Sequence, residues 1–370
     1  MGNKRGVYSP DYAVAPGETL LETIQALGMN QVELAARTGR PLKTINEIIK
    51  GKESITPRTA LQFERVLGIP AAFWNSLERN YREALERIEE KKRLATQVEW
   101  LKKLPVRAMA RRGWIRTMRD KAGQVEELLN FFGVASPIQW DGLWSVGSVA
   151  YRKSPAFRSD AGAVAAWLRK GELDAKAIEC APYDEGKFRR ALSQIRSLTK
   201  GPIETLLAEM TRLCAEAGVA VVFVPELERT RVSGATRWLS STKALIQLSF
   251  RYKADDHLLF TFFHEAGHIL RHGKRDVFIE GDDMEDGKEE EANRFASDFL
   301  IPPQIYQRVL RSVPQSTEEV QVVASELGIA PGIVVGRLQH DGKIPRNYFN
   351  DLKRHVDFDL CAYFRSVPDR

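Results

Sequence analysis

The stretch FTFFHEAGHIL, residues 260–270, decides how the second half of this chain folds. Its apolar residues surround His264 and His268, which are four positions apart and therefore share one face of a helix. Side chains at this spacing lie about 40° apart around the axis and roughly 6 Å apart along it. Two imidazoles so placed can hold one Zn²⁺, and Glu265 beside the first can act as a general base toward water. The alternative is a buried helix whose two histidines are satisfied within the core.

A catalytic zinc site needs a third protein ligand, and a run of glutamates downstream supplies candidates. Residues 289–302 read EEEANRFASDFLIP, and their apolar members repeat at helical spacing until the prolines. Glu289 and Glu290 fit a solvated first turn, which the helix dipole favours. Glu290 and Glu291 adjoin the apolar face and could point inward, and Glu291, next to Ala292, fits the solvated turn least well.

The two motifs HEAGH and EEEANRFASDFLIP together resemble the ImmA/IrrE group of zinc metallopeptidases, over roughly residues 218–303. The family pattern places the third ligand at the glutamate directly before Ala-Asn-x-Phe-Ala, which implies Glu291 in this chain. The resemblance implies Zn²⁺ as cofactor and a regulatory protease that cuts helix-turn-helix repressors or stands beside them. It also implies that the strand before the metal helix borders the cleft, where an exposed edge would bind an extended peptide.

The segments around the metal motif predict an α+β arrangement. An amphipathic helix over 202–217 leads into a β-branched run at 219–224, and two further strands are predicted at 235–239 and 244–248. After the prolines at 302 and 303, helices are predicted over 317–327 and 331–339. Their spacing is that of a helix-turn-helix, so they form either a second DNA reader or, as we favour, a helical cap on a zincin-like domain.

The N-terminal segment predicts four short helices. An apolar face marks the first over 17–27, and Asn30 with Glu33 three residues later forms a capping-box-like start for the second, 31–38. A third helix follows over 41–50, and Thr56-Pro57 opens a fourth. This order is that of a helix-turn-helix domain, in which the third helix enters the major groove.

Residues 16–77 resemble the XRE class of DNA-binding domains, in particular HigA-type antitoxin repressors. The words that carry the likeness are PGETL, NQVELA, INEIIKGK, ITPRTAL and FWNSL. Asparagine and lysine can read base edges, and threonine can meet a methyl group or a phosphate. The third helix departs from a strongly basic reader because it contains Glu47 and no arginine, which leaves a protein-interaction module as the alternative. The predicted DNA-binding residues are Lys43, Thr44, Asn46 and Lys50.

Charge is distributed unevenly along a chain whose net charge is +6. Residues 87–121 contain twelve Lys and Arg against four Asp and Glu, so this segment either follows phosphates or forms a solvated helix face. Residues 280–291 contain eight acids and one lysine, which predicts a surface loop between the two motif helices. Such a loop could also screen the cleft or attract a basic substrate.

Composition excludes a disulfide framework and favours a cytoplasmic protein. Three cysteines, Cys180, Cys214 and Cys361, are widely spaced and are expected to be reduced. The first residues lack the apolar segment of a signal peptide, and no run of 18 apolar residues predicts a membrane span. The predicted fold class is α+β and mostly helical. The predicted domains are a helix-turn-helix bundle (1–80), a helical linker or scaffold (81–200), a small-sheet metallopeptidase core (201–303) and a helical C-terminal cap (304–370).

These features predict a DNA-binding transcriptional regulator fused to a zinc-dependent endopeptidase. His264, His268 and Glu291 would bind Zn²⁺, and Glu265 would move the proton during cleavage of a repressor or antitoxin-like protein. Arg251, Tyr252 and His272 are the nearby candidates for stabilising the oxyanion, with no preference among them. Double-stranded operator DNA, a protein substrate and a second copy of the chain are the expected partners, with no membrane. The alternative is a non-proteolytic, HigA-like antitoxin or repressor whose metal domain senses a ligand or holds a partner.

Overall fold

The structure is a computed structural model that describes residues 12–146, 160–228, 230, 232–273, 278–279 and 287–356. It contains two compact units, one formed by residues up to 98 with 119–126, the other by residues 99–118 and those after 126. The extreme N-terminus, most of the predicted acidic loop (280–286) and the tail with Cys361 lie outside the described residues. Among the described residues, no single helix is long and apolar enough to cross a membrane. Two consecutive helices, Thr317–Leu327 and Pro331–His340, would be long and apolar enough together, but they are bent by 108° relative to each other.

The first unit is the predicted helical bundle. Asn30 accepts a hydrogen bond from the Glu33 backbone N–H at 2.9 Å, and Thr56 accepts one from the Thr59 N–H at 3.2 Å, so both predicted caps form. Leu20, Ile45, Phe63 and Trp74 pack in one fully buried core. The helices are α1 (Pro16–Ala26), α2 (Gln31–Thr38), α3 (Leu42–Ile49), α4 (Pro57–Leu67) and α5 (Ala71–Thr96).

Gly17 sets the close approach of α1 to α3. A Cβ at this position would lie 2.3 Å from the Ile48 carbonyl oxygen and 2.3 Å from the Ile49 Cα. Backbone atoms cannot move aside as a side-chain tip can, so only glycine fits there. The contact fixes how α3 is presented by the bundle.

The second unit contains more helix than the sequence predicted. The segment 303–311, for which no helix was predicted, is helical, and a 17-residue helix, α9, covers Ala161–Ala177. Within α9, Arg169 pairs with Glu172 and Lys170 pairs with Asp174, so these charges are satisfied along the helix. The remaining helices are α6 (Val106–Arg111), α7 (Lys121–Phe132), α8 (Pro137–Trp140), α9 (Ala161–Ala177), α10 (Glu185–Leu198), α11 (Ile203–Glu216), α12 (Asp255–Arg271), α13 (Gly287–Leu300), α14 (Pro303–Arg311), α15 (Thr317–Leu327) and α16 (Pro331–His340), with 3₁₀ turns at Val98–Lys103 and Asn350–Leu352 and a π-helical turn at Asp141–Val146.

A small sheet lies beside these helices in the order β1-β3-β2-β4. Its strands are β1 (Val219–Phe223), β2 (Gly234–Ser240), β3 (Lys243–Leu248) and the unpredicted β4 (Phe278–Ile279). β3 pairs with β1 in parallel and with β2 antiparallel, and β4 pairs with β2 at Ala235 and Thr236. The strand before the metal helix is therefore internal, so the expectation that its edge is exposed beside the cleft is wrong.

The helix α9, from the middle of the chain, belongs to the same unit as the sheet. The Trp167 indole N–H of α9 donates to the Val224 carbonyl at 2.9 Å, and the Gln247 amide of β3 donates to the Trp167 carbonyl at 2.7 Å. Gly171 leaves room for Gln247, whose amide oxygen would lie 1.8 Å from an added Cβ. This helix thus covers one face of the sheet.

The helix α12 lies at the centre of the main core. Leu259, Phe262, Phe263 and Ala266 are fully buried, and they pack in the same cluster as α13, α15 and α16. The helices after residue 303 therefore share one core with the sheet. This packing fixes α12 and, with it, the side chains of the H-E-x-x-H motif.

A buried ion pair ties the first turn of α12 to the end of the described chain. Asp255 is fully buried and accepts from the Arg354 guanidinium at 2.7 Å and from the Arg354 backbone N–H at 3.0 Å. The same guanidinium donates to the Thr199 carbonyl at 2.7 Å. Burial raises the pKa of Asp255, and the bonds from Arg354 oppose that rise.

The Arg354→Ala variant is expected to lower the free energy of unfolding by about 3 kcal/mol, because it leaves a buried carboxylate without its cation. Chemical denaturation monitored by circular dichroism measures this loss. Arg346→Ala, which removes an exposed arginine nearby, is the matched control. If the two variants have the same stability, the pair does not hold α12 in place.

Candidate metal centre and nucleic-acid interface

The motif histidines converge at their Nε2 atoms. His264 and His268 lie one helical turn apart on α12, are 1% and 2% exposed, and bring their Nε2 atoms to 3.0 Å. The third member of the cluster is Glu289, with its carboxylate oxygens 3.1 Å from His264 Nε2 and 3.4 Å from His268 Nε2. Among the described residues, these three form a group able to hold a metal ion.

Glu291, the predicted third ligand, does not lie in this cluster. Its side chain is 64% exposed, and its carboxylate is 3.3 Å from His272 Nε2. The error lies in helix phase, since neighbours in sequence are about 100° apart around a helix. Because Glu291 is adjacent to the buried Ala292 in sequence, its side chain projects about 100° away from the core face of the helix.

The spacing of the buried residues on α13 carries a signal for Glu289. The buried positions are Glu289, Ala292, Ala296 and Leu300, which follow at intervals of three, four and four. This is one face of an α-helix, and its N-terminal member is a glutamate. Of the two glutamates for which the sequence suggested a solvated first turn, Glu290 is exposed and Glu289 is buried.

The protonation states of His268 and Glu289 favour binding of a metal cation. Burial lowers the pKa of His268 to about 4, so this imidazole is neutral near pH 7. Burial alone would raise the pKa of Glu289, but hydrogen bonds with His264 and His268 outweigh it and lower the value to about 2. A neutral imidazole and a charged carboxylate are the forms that bind metal.

The spacing of the donor atoms fits a tetrahedral metal. Ligand atoms about 2.0–2.1 Å from a zinc ion lie about 3.3 Å from one another. The three separations here run from 3.0 to 3.4 Å. Two imidazoles and one carboxylate are also the donor set of a catalytic zinc site with one position left for substrate or water.

Glu265 lies where α12 meets β2. It is fully buried, and its backbone carbonyl accepts from the Thr236 hydroxyl of β2 at 3.2 Å. Gly234 begins that strand, and a Cβ there would lie 2.6 Å from the Glu265 Oε1 and 2.6 Å from the Thr261 Cγ2. The missing side chain of Gly234 therefore makes room for the Glu265 carboxylate, a role that the sequence did not predict.

The other nitrogen of each cluster histidine has a partner. His264 Nδ1 is 2.9 Å from the Asn293 amide oxygen, and His268 Nδ1 is 3.0 Å from His272 Nδ1. Asn293 follows Glu289 by four residues on α13, so the same face supplies both. Such partners fix the ring orientation of metal ligands.

The three candidates for oxyanion stabilisation divide between two places. The Arg251 guanidinium lies 4.8 Å from the centre of the Tyr252 ring, and that ring stacks on His257 at 4.3 Å. His257 precedes His264 by two helical turns. His272 instead contacts His268 and lies next to the cluster.

The predicted DNA-binding residues occupy the solvent side of α3. Ile45 and Ile48 are buried in the bundle, Lys43 and Lys50 are exposed, and Asn46 is half-buried. Thr44 is half-buried at the margin of the face. Glu47 lies among them and is 3.9 Å from the Lys43 ammonium group, which reduces the positive charge on this surface.

The basic segment is largely engaged with acidic or carbonyl groups. Lys102 pairs with Glu99, and Lys103 pairs with Asp141 at 3.0 Å. Arg111 is 3.3 Å from Glu228, and Arg112 donates to the Glu226 carbonyl at 3.0 Å. These contacts within the second unit favour a structural use of the segment.

Comparison with known proteins finds a family match at each of these sites. Residues 20–74 match the helix-turn-helix family model, and residues 215–339 match that of the IrrE N-terminal-like domain, a peptidase family designated M78. Both resemblances predicted from the motifs are thus confirmed over these segments, and the fold class is confirmed with them.

Among solved structures, the chain is similar to an addiction module antidote protein of a HigA family from Coxiella burnetii. The two are 28% identical, and the match covers 24% of this chain and 91% of that protein with a TM-score of 0.20. No curated protein matches. The similarity to known families is thus confined to residues 20–74, which resemble a helix-turn-helix family, and residues 215–339, which resemble a peptidase family.

Proposed function

We propose that the chain is a DNA-binding transcriptional regulator whose second unit is a zinc-dependent endopeptidase acting on a repressor or antitoxin-like protein. The observation that supports it best is the buried cluster of His264, His268 and Glu289, with the Glu265 carboxylate on the same helix. A site that only holds a structural metal does not need a general base beside its ligands.

The chemistry follows from these side chains. A zinc ion held by the three ligands would polarise the scissile carbonyl and lower the pKa of a water molecule. Glu265 accepts a proton from the water whose oxygen attacks the carbonyl carbon. As the C–N bond breaks, Glu265 delivers that proton to the leaving amine. Burial between α12 and β2 removes Glu265 from competing water and holds it in one position.

Incubating the zinc-loaded full chain with candidate proteins tests this proposal. The proteins encoded beside its gene are purified and incubated with it, and new N-termini are identified by mass spectrometry. We expect cleavage by the wild type and none by Glu265→Gln. Stoichiometric zinc without any new terminus, in these proteins or in a whole lysate, would instead support the non-proteolytic antitoxin or repressor.

The Asn46→Ala variant tests the DNA-binding part of the proposal. Asparagine pairs bidentately with adenine, so its loss is expected to weaken binding to a selected site by about 10–100-fold and binding to random duplexes much less. Sites are selected with the full chain from random duplexes, and affinities are measured by fluorescence anisotropy at fixed salt.

Gln25→Ala, which removes an exposed amide from α1, is the control for this variant. No sequence preference in the selection would make the first unit a protein-docking module. Equal weakening of selected and random DNA by Asn46→Ala would contradict base reading by α3.

A further inference from the structure

We propose that His272 and Glu291 act as positioning residues that hold His268 in the tautomer able to bind metal. The inference rests on the metal site of the proposed function. It assigns a role to two side chains that the H-E-x-x-H motif and Glu289 leave unused.

Three side chains form a continuous chain of hydrogen bonds leading away from the cluster. His268 Nδ1 lies 3.0 Å from His272 Nδ1, and His272 Nε2 lies 3.3 Å from a Glu291 carboxylate oxygen. The His272 side chain is 4% exposed, whereas that of Glu291 reaches the surface. These hydrogen bonds therefore form a relay that runs from the buried cluster to solvent.

The identity of each donor follows from the metal site. A neutral imidazole has one N–H and one nitrogen lone pair. Metal binding requires the lone pair of His268 Nε2 and therefore the tautomer with its proton on Nδ1. The competing tautomer has its proton on Nε2, where the Glu289 carboxylate 3.4 Å away would accept it. The Nδ1–H donates to His272 Nδ1, which leaves the proton of His272 on its Nε2.

Glu291 sets the direction in which the hydrogen bonds of this relay are donated. An ionised carboxylate only accepts hydrogen bonds, so it selects the His272 tautomer with a proton on Nε2. His272 Nδ1 is then an acceptor, and it selects the Nδ1–H tautomer of His268. In the reversed arrangement His268 would be protonated on Nε2, which blocks metal binding.

The backbone holds both residues in place for this task. His272 is the C-cap residue that follows α12, and its backbone N–H donates to the His268 carbonyl at 3.0 Å. Glu291 is two positions after Glu289, so it projects from a different side of α13 and meets His272 beyond the end of α12. One turn of α13 thus supplies both a ligand and the acceptor that orients another ligand.

Zinc affinity of matched variants tests the proposal. The Asn side chain places its amide oxygen near the position of a histidine Nδ1, and Leu has the same shape without an acceptor. His272→Leu is therefore expected to weaken zinc binding by about 10–100-fold, and His272→Asn to remain within about threefold of the wild type. Affinities of the full chain are measured by competition with a zinc chelator.

Glu291→Ala provides a second test at a surface position, where the fold is not at risk. It removes the acceptor of an exposed hydrogen bond, for which a loss of about fivefold in zinc affinity is expected. Glu290→Ala removes the same charge from the same turn and is expected to bind zinc as the wild type does. Equal affinity of the His272→Leu and His272→Asn variants, or of the Glu291→Ala and Glu290→Ala variants, overturns the proposal.

A spectroscopic readout separates this inference from the proposed function. The chain has six histidines, so ¹⁵N-histidine labelling gives few signals, and each is assigned by substitution. Long-range ¹H–¹⁵N spectra of the metal-free protein are expected to show His268 protonated on Nδ1, and on Nε2 in part of the molecules of His272→Leu. A wild type that binds no zinc defeats the proposed function, whereas a wild-type His268 protonated on Nε2 defeats the relay.

Discussion

The Glu289→Ala variant is expected to lose stoichiometric zinc, whereas Glu291→Ala keeps it when zinc is in excess. Glu289 brings its carboxylate to 3.1 and 3.4 Å from the two Nε2 atoms, so its removal leaves two ligands where three are needed. We expect affinity to fall by more than about 100-fold, beyond the effect typical of outer-shell partners. Zinc per chain is measured by plasma mass spectrometry after equilibration and desalting.

Glu290→Ala serves as the control in this series because it lies on the same turn and is exposed. The three variants remove one carboxylate each, so differences among them report position rather than charge. Full zinc content in Glu289→Ala, with loss in Glu291→Ala, would restore the ligand set that the sequence predicted.

The difference between Glu289 and Glu291 shows where local sequence signals stop. The spacing of His264 and His268 lies within one helix, so geometry follows from the period of the helix alone. The third position depends on which face of a second helix meets the first. The spacing of Glu289, Ala292 and Ala296 marks that face. Adjacency to an apolar residue in sequence does not show that a side chain lies on it.

The helix caps and the strand order differ in the same respect, because the caps depend on local sequence and the strand order does not. Asn30 and Thr56 cap the N-termini of α2 and α4 by accepting a hydrogen bond from the backbone N–H three residues later, so the sequence predicts them well. The order of the strands depends on pairing between distant segments, and the runs at 219–224, 235–239 and 244–248 carry no record of it. β4 is two residues long, too short for any period to be visible.

Close approaches are a third class of feature. Gly17 and Gly234 are ordinary glycines in the sequence, one within a helix and one at the start of a strand. The structure shows that a Cβ would meet the α3 backbone in the first case and Glu265 in the second. Such requirements arise only after the elements are packed, so one sequence alone cannot distinguish these glycines from turn residues.

Glu265→Gln is expected to retain stoichiometric zinc and to lose cleavage by about 10²–10⁴-fold. Glutamine has the shape of glutamate and fits the space that Gly234 leaves, so the fold and the three ligands are preserved. Its amide cannot accept the proton of the attacking water or return it to the amine. The readout is the initial rate at which the new N-terminus appears, together with zinc per chain.

Glu290→Gln makes the same chemical change on the exposed turn of α13 and is expected to cleave at the wild-type rate. Loss of zinc from Glu265→Gln would leave its inactivity uninformative about proton transfer, and in that case the rate is measured at zinc concentrations that restore full occupancy. If the fully loaded variant still cleaves at more than about a tenth of the wild-type rate, the proton acceptor is another group.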